Sequence, residues 1–323
     1  MTDLTLAICM YNAEKYIKET LESVIAQTMQ DFYLLIVNDS STDGSITAVE
    51  EFFAQNPRQH EIVTFEENHG IGYARHFAER KASTKYMMFL DADDVLYPNA
   101  IETMYNRIKS DNDLMAVGCY LEYVNEKGKK IGGGIFLGET TKEGFYKKAA
   151  NKKLIFMQPT AIYDRETALS VGGYAIDGYP EGKPRYQDYC EDLDLWTRMS
   201  DLYKDSKAII IIPEVLCKYR KIGNGLSSNS FNMIIKMRYT KRNLLLRREG
   251  KKELTFIEFH ESLSKKEMRT LKHDAIAADS LRNGVFYLKR RNIFKGAWEI
   301  MKSIYYRPGY IFDKLRHNFL KKK

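Results

Sequence analysis

Four short apolar runs alternate with segments of helical periodicity between residues 4 and 94, and this alternation constrains the fold most. The apolar runs are Leu4–Cys9, Phe32–Val37, Ile62–Phe65 and Met87–Leu90. Each run is short enough for a buried strand, whereas the residues between them keep helical spacing. Strands that alternate with helices predict a parallel sheet with helices on both faces. Ligands of such sheets bind beyond the carboxyl ends of the strands.

The segments between these runs predict helices, and polar loops precede them. Asn12 is expected to cap the first helix. The polar turn at residues 38–45 leads into a second helix, and the loop Glu66–Gly70 leads into a third near Ile71–Lys81. Since all of these loops fall at one edge of the predicted sheet, they favour a single shared site.

Three carboxylates follow the fourth apolar run within four positions. Asp91 and Asp93 are two residues apart at the end of a strand, so their side chains point to one place. Two hard oxygen donors in that arrangement suit Mg²⁺ or Mn²⁺, which also accept phosphate oxygens. The alternative is a solvated acidic turn that includes Asp94. The run therefore indicates a metal-assisted reaction on a nucleotide.

The second half of the chain is more mixed. Leu114–Val124 is predicted to form a strand, and Gly128 together with Gly132–Gly134 is expected to mark turns around a hairpin. Ile209–Ile212 is predicted as another buried strand. After Lys221 the pattern becomes helical and basic, which predicts a separate C-terminal region.

Charge divides the chain into an acidic body and a basic C-terminal region. The net charge of +7 comprises −8 over the first 230 residues and +15 from Phe231 onward. Asn292–Tyr305 is predicted as a helix that Pro308 stops. Nucleic-acid binding is not expected, because the aromatic residues of this region keep the helical spacing of a core.

The last residues of the chain combine an apolar stripe with cations. The stripe at helical spacing consists of Ile311, Phe312, Leu315, Phe319 and Leu320. Lysines and arginines lie between and after these residues, a pattern typical of a helix on an anionic membrane surface. The alternative is that the stripe packs on the same chain or on a second copy in a homodimer.

Composition argues against a membrane-spanning or disulfide-rich protein. Hydrophobic residues make up 44% of the chain, which is ample for a core. No apolar run approaches the roughly 18–20 residues of a spanning helix, and no secretion signal is recognised. The cysteines are Cys9, Cys119, Cys190 and Cys217. Because they are far apart and form no CxxC pair, we expect buried thiols in a reducing cytoplasm.

Several polar side chains are candidates for binding or catalysis. Asp39 follows a buried strand, where a carboxylate can accept the ring N–H of uracil, bond turn amides or cap the next helix. The loop Asn68–Gly72 lacks the third glycine of a dinucleotide motif. With Arg75 one turn into the helix, it still suits ribose and phosphate oxygens, and a surface salt bridge is the alternative for this arginine. The acidic cluster Asp188–Asp194 either complements a helix dipole or supplies a general base.

Taken in order, these motifs resemble glycosyltransferase family 2, which has the GT-A fold. They are Ala7–Asn12, Val37–Ser45, Asn68–Gly70, Ala74–Arg75, Leu90–Asp94, Gly172–Tyr174 and Glu191–Arg198. Each motif is weak alone, but their order over residues 4–220 is specific. The resemblance implies an α/β protein with a Rossmann-like, mostly parallel sheet flanked by helices, and with a basic helical C-terminal extension.

The resemblance also implies a domain organisation. Residues 1–222 would form the GT-A catalytic domain, with a nucleotide-sugar-binding half at residues 1–110 and an acceptor half at residues 111–222. Residues 223–323 would form the helical basic region.

The resemblance implies roles at matching positions. The residues expected to bind the nucleotide sugar are Cys9, Tyr11, Asn12, Asp39, Asn68, Gly70, Arg75, Asp91 and Ala92. Asp93 and Asp91 would hold Mn²⁺ or Mg²⁺. Asp192 would be the catalytic base, with Glu191 and Asp188 as the next candidates. The candidate acceptor or phosphate contacts are Trp196, Tyr219, Arg220 and Lys221, and a place in the core is the alternative for Trp196.

Two departures from the family pattern matter. Cys9 stands where members often have Pro, but that contact is largely through the backbone. Many members carry a His a few residues after a Tyr-Arg pair, whereas here Tyr219–Arg220 is followed by Lys221–Gly225. Lys221 or Asn224 is then the candidate phosphate contact.

The resemblance implies an inverting, metal-dependent transferase of hexosyl or N-acetylhexosaminyl type. It would move a sugar from a nucleotide-diphosphate sugar, with uridine as the expected base, to a hydroxyl of a glycan or lipid-linked acceptor in bacterial surface polysaccharide synthesis. One alternative is a metal-dependent nucleotidyltransferase, which would need a basic first loop in place of Tyr11–Glu14. The other is a non-catalytic nucleotide-sugar-binding protein, which would lack the metal motif or the base. We expect a cytoplasmic protein that is peripheral on the inner face of the membrane if its tail binds lipid.

Overall fold

A computed structural model describes residues 2–135, 138–223 and 225–310, apart from the side chains of residues 132–135. The chain divides into two compact units. The first consists of residues 1–223 with 240–253, and the second of residues 224–239 with 254–323. The predicted tail helix and Asn224 lie outside the described residues.

The first unit begins with a parallel sheet whose strands alternate with helices, as the sequence predicts. The strands are β1 (Leu4–Met10), β2 (Tyr33–Asn38), β3 (Glu61–Thr64) and β4 (Tyr86–Asp91). The connecting helices are α1 (Ile17–Ile25), α2 (Ser45–Gln55) and α3 (Ile71–Lys81). The parallel strands lie in the order β3-β2-β1-β4. Every residue of β1 is buried, so this strand forms the centre of the core.

The same sheet continues with strands from the second half of the unit. They are β5 (Val95–Leu96), β6 (Leu114–Val124), β7 (Lys130–Ile135), β8 (Ile162–Asp164) and β9 (Ala208–Arg220). The helices here are α4 (Ala100–Lys109), α5 (Lys142–Ala150), α6 (Arg165–Ser170) and α7 (Glu191–Met199). Strand β8 pairs antiparallel with β4 and β6, and β9 runs parallel to β6. The result is the mainly parallel α/β sheet flanked by helices that the sequence predicts.

Two local predictions are wrong, and a third is confirmed with longer bounds. Asn12 does not cap α1, because it adopts a φ of 51° and its Oδ1 accepts from the backbone N–H of Thr42 at 2.8 Å. Gly132–Gly134 lies within β7 and forms no turn, since β7 pairs antiparallel with β6 along this stretch. The strand expected at Ile209–Ile212 extends as far as Arg220.

The C-terminal helices are α8 (Ser230–Arg248), α9 (Phe256–Ser262), α10 (Lys265–Lys289) and α11 (Ile293–Tyr306). The helical basic extension is therefore present. Asn292 caps α11 through its side chain, which accepts from the N–H of Lys295. Among the helices described, none is both long and apolar enough to cross a lipid bilayer. The four cysteines are unpaired thiols and buried, as predicted, and burial raises the pKa of Cys9 to about 12.

Candidate functional site

The sheet register brings the polar loops to one edge. Cys9 in β1 lies between Val37 in β2 and Asp91 in β4. The residues that follow these three positions therefore leave the sheet side by side. Tyr11 is exposed there, whereas Cys9 and Ala92 are buried. This edge is the carboxyl end of the parallel strands, where α/β sheets bind ligands.

Asp39 fixes the loop that begins α3. One carboxylate oxygen accepts from the N–H of His69 at 2.7 Å. The other accepts from the N–H of Gly70 and from the side-chain amide of Asn68, each at 2.8 Å. Asp39 does not cap α2, since Asp43 accepts from the N–H at the start of that helix. The carboxylate therefore holds turn amides, and these three bonds use three of its about four lone-pair sites.

Gly70 closes this loop against a second acidic residue. Its φ of 93° is a conformation that favours glycine, and a Cβ here would collide with the carboxylate of Asp188. Asp188 also accepts from the N–H of Gly72 at 2.9 Å, and burial raises its pKa to about 6. Asp188 therefore holds the backbone at Gly72, directly after the loop that carries Asn68.

Arg75 connects the two acidic clusters of the sequence. Its guanidinium donates to Asp91 at 2.5 Å and also to Glu191, which lies 116 positions later in the chain. The arginine is buried, so the surface salt bridge considered from the sequence is wrong. Burial raises the pKa of Glu191, whereas the charge of Arg75 favours the ionised carboxylate and opposes that rise. The end of β4 and the start of α7 therefore share one site.

The loop after β4 is held from behind by two side chains. The hydroxyl of Thr20 donates to the carbonyls of Ala92 at 3.0 Å and of Asp94 at 2.9 Å. The Nε of Arg220 donates to the carbonyl of Asp93 at 2.8 Å, and its backbone N–H donates to the Asp94 carboxylate. These bonds fix the backbone and leave the carboxylate of Asp93 half-buried at the site.

The acidic loop crowds negative charge. Burial, followed by the charge of Asp91, raises the pKa of Asp93 to about 7, and the same causes raise the pKa of Asp94. Among the described atoms, the buried Oδ2 of Asp94 has no hydrogen-bond partner. A divalent cation would favour the ionised carboxylates and relieve this crowding.

The carboxylates at this site suit a divalent cation that is bound partly by the protein and partly by a phosphorylated ligand. In the described part of the chain, no three His, Cys, Asp or Glu side chains form a preassembled metal cluster. Mg²⁺ and similar cations are commonly bound by one or two carboxylates together with phosphate oxygens. Asp91 and Asp93 supply two such carboxylates, so a diphosphate would complete the set.

Three carboxylates are candidates for a general base. Asp192 lies in the first turn of α7, is half-buried, and accepts from the N–H of Leu193 at 2.8 Å. Burial raises its pKa, which favours proton abstraction. Glu191 is engaged by Arg75, and Asp188 by the Gly72 amide. Of the three, only Glu191 forms an ion pair among the described residues, and the described hydrogen bond of Asp192 is to an amide of its own helix.

Two predicted contact residues are placed elsewhere by the structure. Trp196 is fully buried and its Nε1 donates to the carbonyl of Met157 at 3.1 Å, so it is a core residue and not part of an acceptor wall. The guanidinium of Arg220 is buried and bonded to the carbonyls of the β6–β7 turn and to Glu19. It therefore braces the acidic loop instead of contacting phosphate.

The other residues after β9 stay candidates. Tyr219 and Lys221 are half-buried, and the ammonium of Lys221 lies 4.6 Å from the ring centre of Tyr219. The ammonium lies at the same distance from the ring of Tyr123. These contacts keep a cation at the end of β9, next to the acidic loop that Arg220 braces.

Sequence reasoning missed several supporting residues. Arg185 donates to the side chain and carbonyl of Asn68, and Glu19 pairs with Arg220 at 2.5 Å. Thr20 belongs to this group as well. No motif marks these positions, because an isolated polar residue in a helix or loop gives no local signal of a partner far away in the chain.

Comparison with known proteins identifies similar glycosyltransferase sequences. The profile described as Glycosyl transferase family 2 matches residues 5–169. An uncharacterized glycosyltransferase of Haemophilus influenzae is 29% identical over 226 residues, which are 70% of this chain and 67% of the relative. The teichoic acid poly(glycerol phosphate) polymerase of Staphylococcus epidermidis is 40% identical over 116 residues, which are 36% of this chain and only 16% of the relative.

Two solved structures share the fold. S. aureus TarS 1-349 in complex with UDP-GlcNAc has a TM-score of 0.55 at 18% identity, covering 95% of this chain and 92% of that one. The mannosyltransferase PcManGT from Pyrobaculum calidifontis, in complex with GDP-Man and Mn²⁺, has a TM-score of 0.54 at 18% identity. This match covers 97% of this chain and 88% of the mannosyltransferase chain.

Proposed function

The chain belongs to glycosyltransferase family 2, and we propose that it transfers a sugar from a nucleotide-diphosphate sugar to an acceptor hydroxyl. The observation that carries this proposal is the bridge from Arg75 to Asp91 and Glu191. It joins a carboxylate pair suited to a diphosphate-bound cation with the helix start that offers a general base.

The donor is bound at the carboxyl edge of β1, β2 and β4. Asp39 and Asn68 hold the loop at which the base and ribose lie, and exposed Tyr11 offers a ring face to the base. A UDP-sugar is our preferred donor, because a carboxylate near the base suits the ring N–H of uracil. The TarS complex with UDP-GlcNAc, a protein of the same fold, is compatible with this choice.

Asp91 and Asp93 would hold Mn²⁺ or Mg²⁺ together with the diphosphate. Such a cation, when bound, stabilises the negative charge that develops on the leaving nucleoside diphosphate. Arg75 orients Asp91 through their ion pair, and Arg220 and Thr20 fix the backbone of the loop after β4. The protein's own contribution is thus a preorganised pair of carboxylates.

Asp192 is proposed as the base that removes the proton from the attacking acceptor hydroxyl. A single in-line displacement needs no carboxylate nucleophile and inverts the configuration at the anomeric carbon. Glu191 is held by Arg75, so its role is to position the arginine and the start of α7.

The acceptor is proposed to be a glycan or lipid-linked glycan of a bacterial surface polysaccharide. The relative named teichoic acid poly(glycerol phosphate) polymerase supports this assignment, although the match covers a small part of that protein. The sugar is proposed to be of hexosyl or N-acetylhexosaminyl type.

A screen of nucleotide sugars tests the proposed function. The full chain is incubated with Mn²⁺ and UDP- or GDP-sugars, and release of the nucleoside diphosphate is measured with and without EDTA. We expect slow, EDTA-sensitive hydrolysis of at least one donor. Pyrophosphate release from a nucleoside triphosphate would instead identify a nucleotidyltransferase, and binding without any turnover would identify a non-catalytic sugar-nucleotide protein.

A further inference from the structure

Helix α11 exposes a stripe of large apolar side chains, flanked by exposed Ile293 and Ile304. Phe294, Trp298, Met301 and Tyr305 are 92%, 65%, 56% and 81% exposed. Their spacing of four, three and four residues places them on one face of the helix. Scattered exposed hydrophobics are normal, but a contiguous stripe of aromatic and long side chains marks an interaction site.

The opposite face of α11 already packs on α10. Gly296 and Ser303 are buried, and the hydroxyl of Ser303 donates to the carbonyl of Ala277 at 2.8 Å. A Cβ at Gly284 would lie 3.2 Å from the carbonyl of Gly296, so the two backbones approach closely. The exposed stripe is therefore not needed to fix the helix.

Cations surround the stripe. Residues 289–307 contain six basic side chains and one acidic side chain. The basic residues are Lys289, Arg290, Arg291, Lys295, Lys302 and Arg307, of which Arg307 pairs with Asp274 of α10 at 2.9 Å. On α11 itself, Lys295, Glu299 and Lys302 directly follow Phe294, Trp298 and Met301, so all three lie along one edge of the stripe, which carries a net charge of +1. Exposed Phe286 and Leu288, at the end of α10, enlarge the apolar surface.

We propose that the α11 stripe docks on an anionic lipid bilayer surface. The aromatic and apolar side chains would enter the interface between headgroups and acyl chains, while the surrounding cations contact acidic headgroups. Trp298 and Tyr305 are of the types that prefer this interface, because each has an apolar body and a polar tip. The inference concerns a surface of the second unit and holds whatever the sugar donor is.

The distribution of charge disfavours two other surfaces that could cover the stripe, namely a second copy of the chain and the chain's own segment 311–323. In a symmetric dimer through this face, both copies would bring the net charge of +5 of residues 289–307 (six basic side chains and one acidic), so like charges would oppose each other. The segment 311–323 contains five lysines and arginines and one acidic residue, so it complements the basic edge poorly. An anionic surface complements both the stripe and its edge.

Tryptophan fluorescence gives a selective readout. The chain contains two tryptophans, of which Trp196 is fully buried and Trp298 is exposed. The full chain is mixed with phosphatidylcholine vesicles that contain about 30% anionic phosphatidylglycerol. We expect a blue shift, protection of Trp298 from a soluble quencher, and co-sedimentation that weakens with added salt. Pure phosphatidylcholine vesicles should bind much more weakly.

Paired variants separate the apolar and the ionic contributions. Phe294→Gln is expected to weaken partition to the vesicles about tenfold or more. Ile257→Gln, at an exposed position on α9, is the matched control and should change partition little. The double variant Lys295→Gln/Lys302→Gln should lose about fivefold per lysine, most of it at low salt. Lys127→Gln/Lys129→Gln, which changes two exposed lysines of the β6–β7 turn, is its control.

Three outcomes would overturn the proposal. One is that the two double-lysine variants and the two apolar variants all bind the anionic vesicles as strongly as the unchanged chain does. Another is that Trp298 is already protected from quencher in dilute protein without vesicles, which would place the chain's own terminal segment over the stripe. The third is a blue shift that depends on protein concentration and not on vesicles, which would identify a second copy as the occupant.

Discussion

Arg75 donates to the carboxylate of Asp91 at 2.5 Å from a side chain that is almost fully buried. The same guanidinium donates to Glu191, so it links α3, β4 and α7 at the edge of the sheet. Its buried Nε has no hydrogen-bond partner among the described atoms.

Removing Arg75 should strongly destabilise the fold. Arg75→Met leaves the largely buried carboxylate of Glu191 and the half-buried carboxylate of Asp91 without their counter-ion, and breaking a buried pair costs about 3–5 kcal/mol. The free energy of unfolding is measured by urea denaturation at neutral pH. Arg80→Met removes an arginine on the same helix that is partly exposed, and should cost less than about 1 kcal/mol. Equal losses for the two variants would contradict the bridging role.

Neutralising Asp192 should separate chemistry from binding. Asp192→Asn is expected to lower transfer by about 10² to 10⁴-fold, the usual contribution of a general base. Its affinity for the nucleotide should stay near that of the unchanged enzyme, as measured by calorimetric titration. Glu191→Gln should instead weaken nucleotide binding and stability together, because it breaks the pair with Arg75. A reversed pattern would assign the base to Glu191.

Asp188 should make the stability depend on pH. Its pKa in the folded protein is about 6, above the ordinary 3.8, so the folded state keeps a proton that the unfolded state loses. The stabilisation that the protonated Asp188 side chain gives to the folded state is therefore complete below about pH 4. It is lost as the pH rises toward 6. The difference in free energy of unfolding between the unchanged chain and Asp188→Asn should fall by about 1–3 kcal/mol over that range. A flat difference would show that Asp188 ionises normally.

Arg220 should act on the metal through the loop backbone. Arg220→Met removes the bond to the Asp93 carbonyl, and loss of such an outer contact typically costs 10–100-fold in metal affinity, so about tenfold weaker Mn²⁺ binding is expected. Mn²⁺ affinity in the presence of UDP is measured by electron spin resonance or calorimetry. Arg107→Met, on the exposed side of α4, is the control. Unchanged affinity in a folded Arg220→Met variant would show that the loop needs no brace.

Sequence periodicity predicted the first half of the fold well, because the strands of the parallel sheet are continuous apolar runs. Leu4–Met10 and Ile71–Lys81 appear nearly as the pattern indicates. The sequence pattern gave wrong predictions where contacts with residues far away in the chain determine the local structure. Asn12 had the residue type of a helix cap, but its side chain was recruited by the Thr42 amide.

The same limit applies to the site. The order of motifs pointed to Asp91, Asp93 and Asp192, and the structure gathers the two acidic clusters through Arg75. Burial could not be read from the motif around Trp196, because a tryptophan in an amphipathic helix suits a core as well as a pocket wall. Lys221 keeps its candidate role at the end of β9.

Loss of a single carboxylate tests the metal-dependent transfer most directly. Turnover of the nucleotide sugar found in the screen is measured with Mn²⁺ for the unchanged enzyme, for Asp93→Asn, and for Glu51→Gln as an exposed acidic control on α2. We predict that Asp93→Asn, like EDTA, lowers turnover by at least about 100-fold, the scale of losing one electrostatic stabiliser, while Glu51→Gln is unaffected. Full turnover in EDTA, or by Asp93→Asn, would contradict a metal-dependent mechanism at this site.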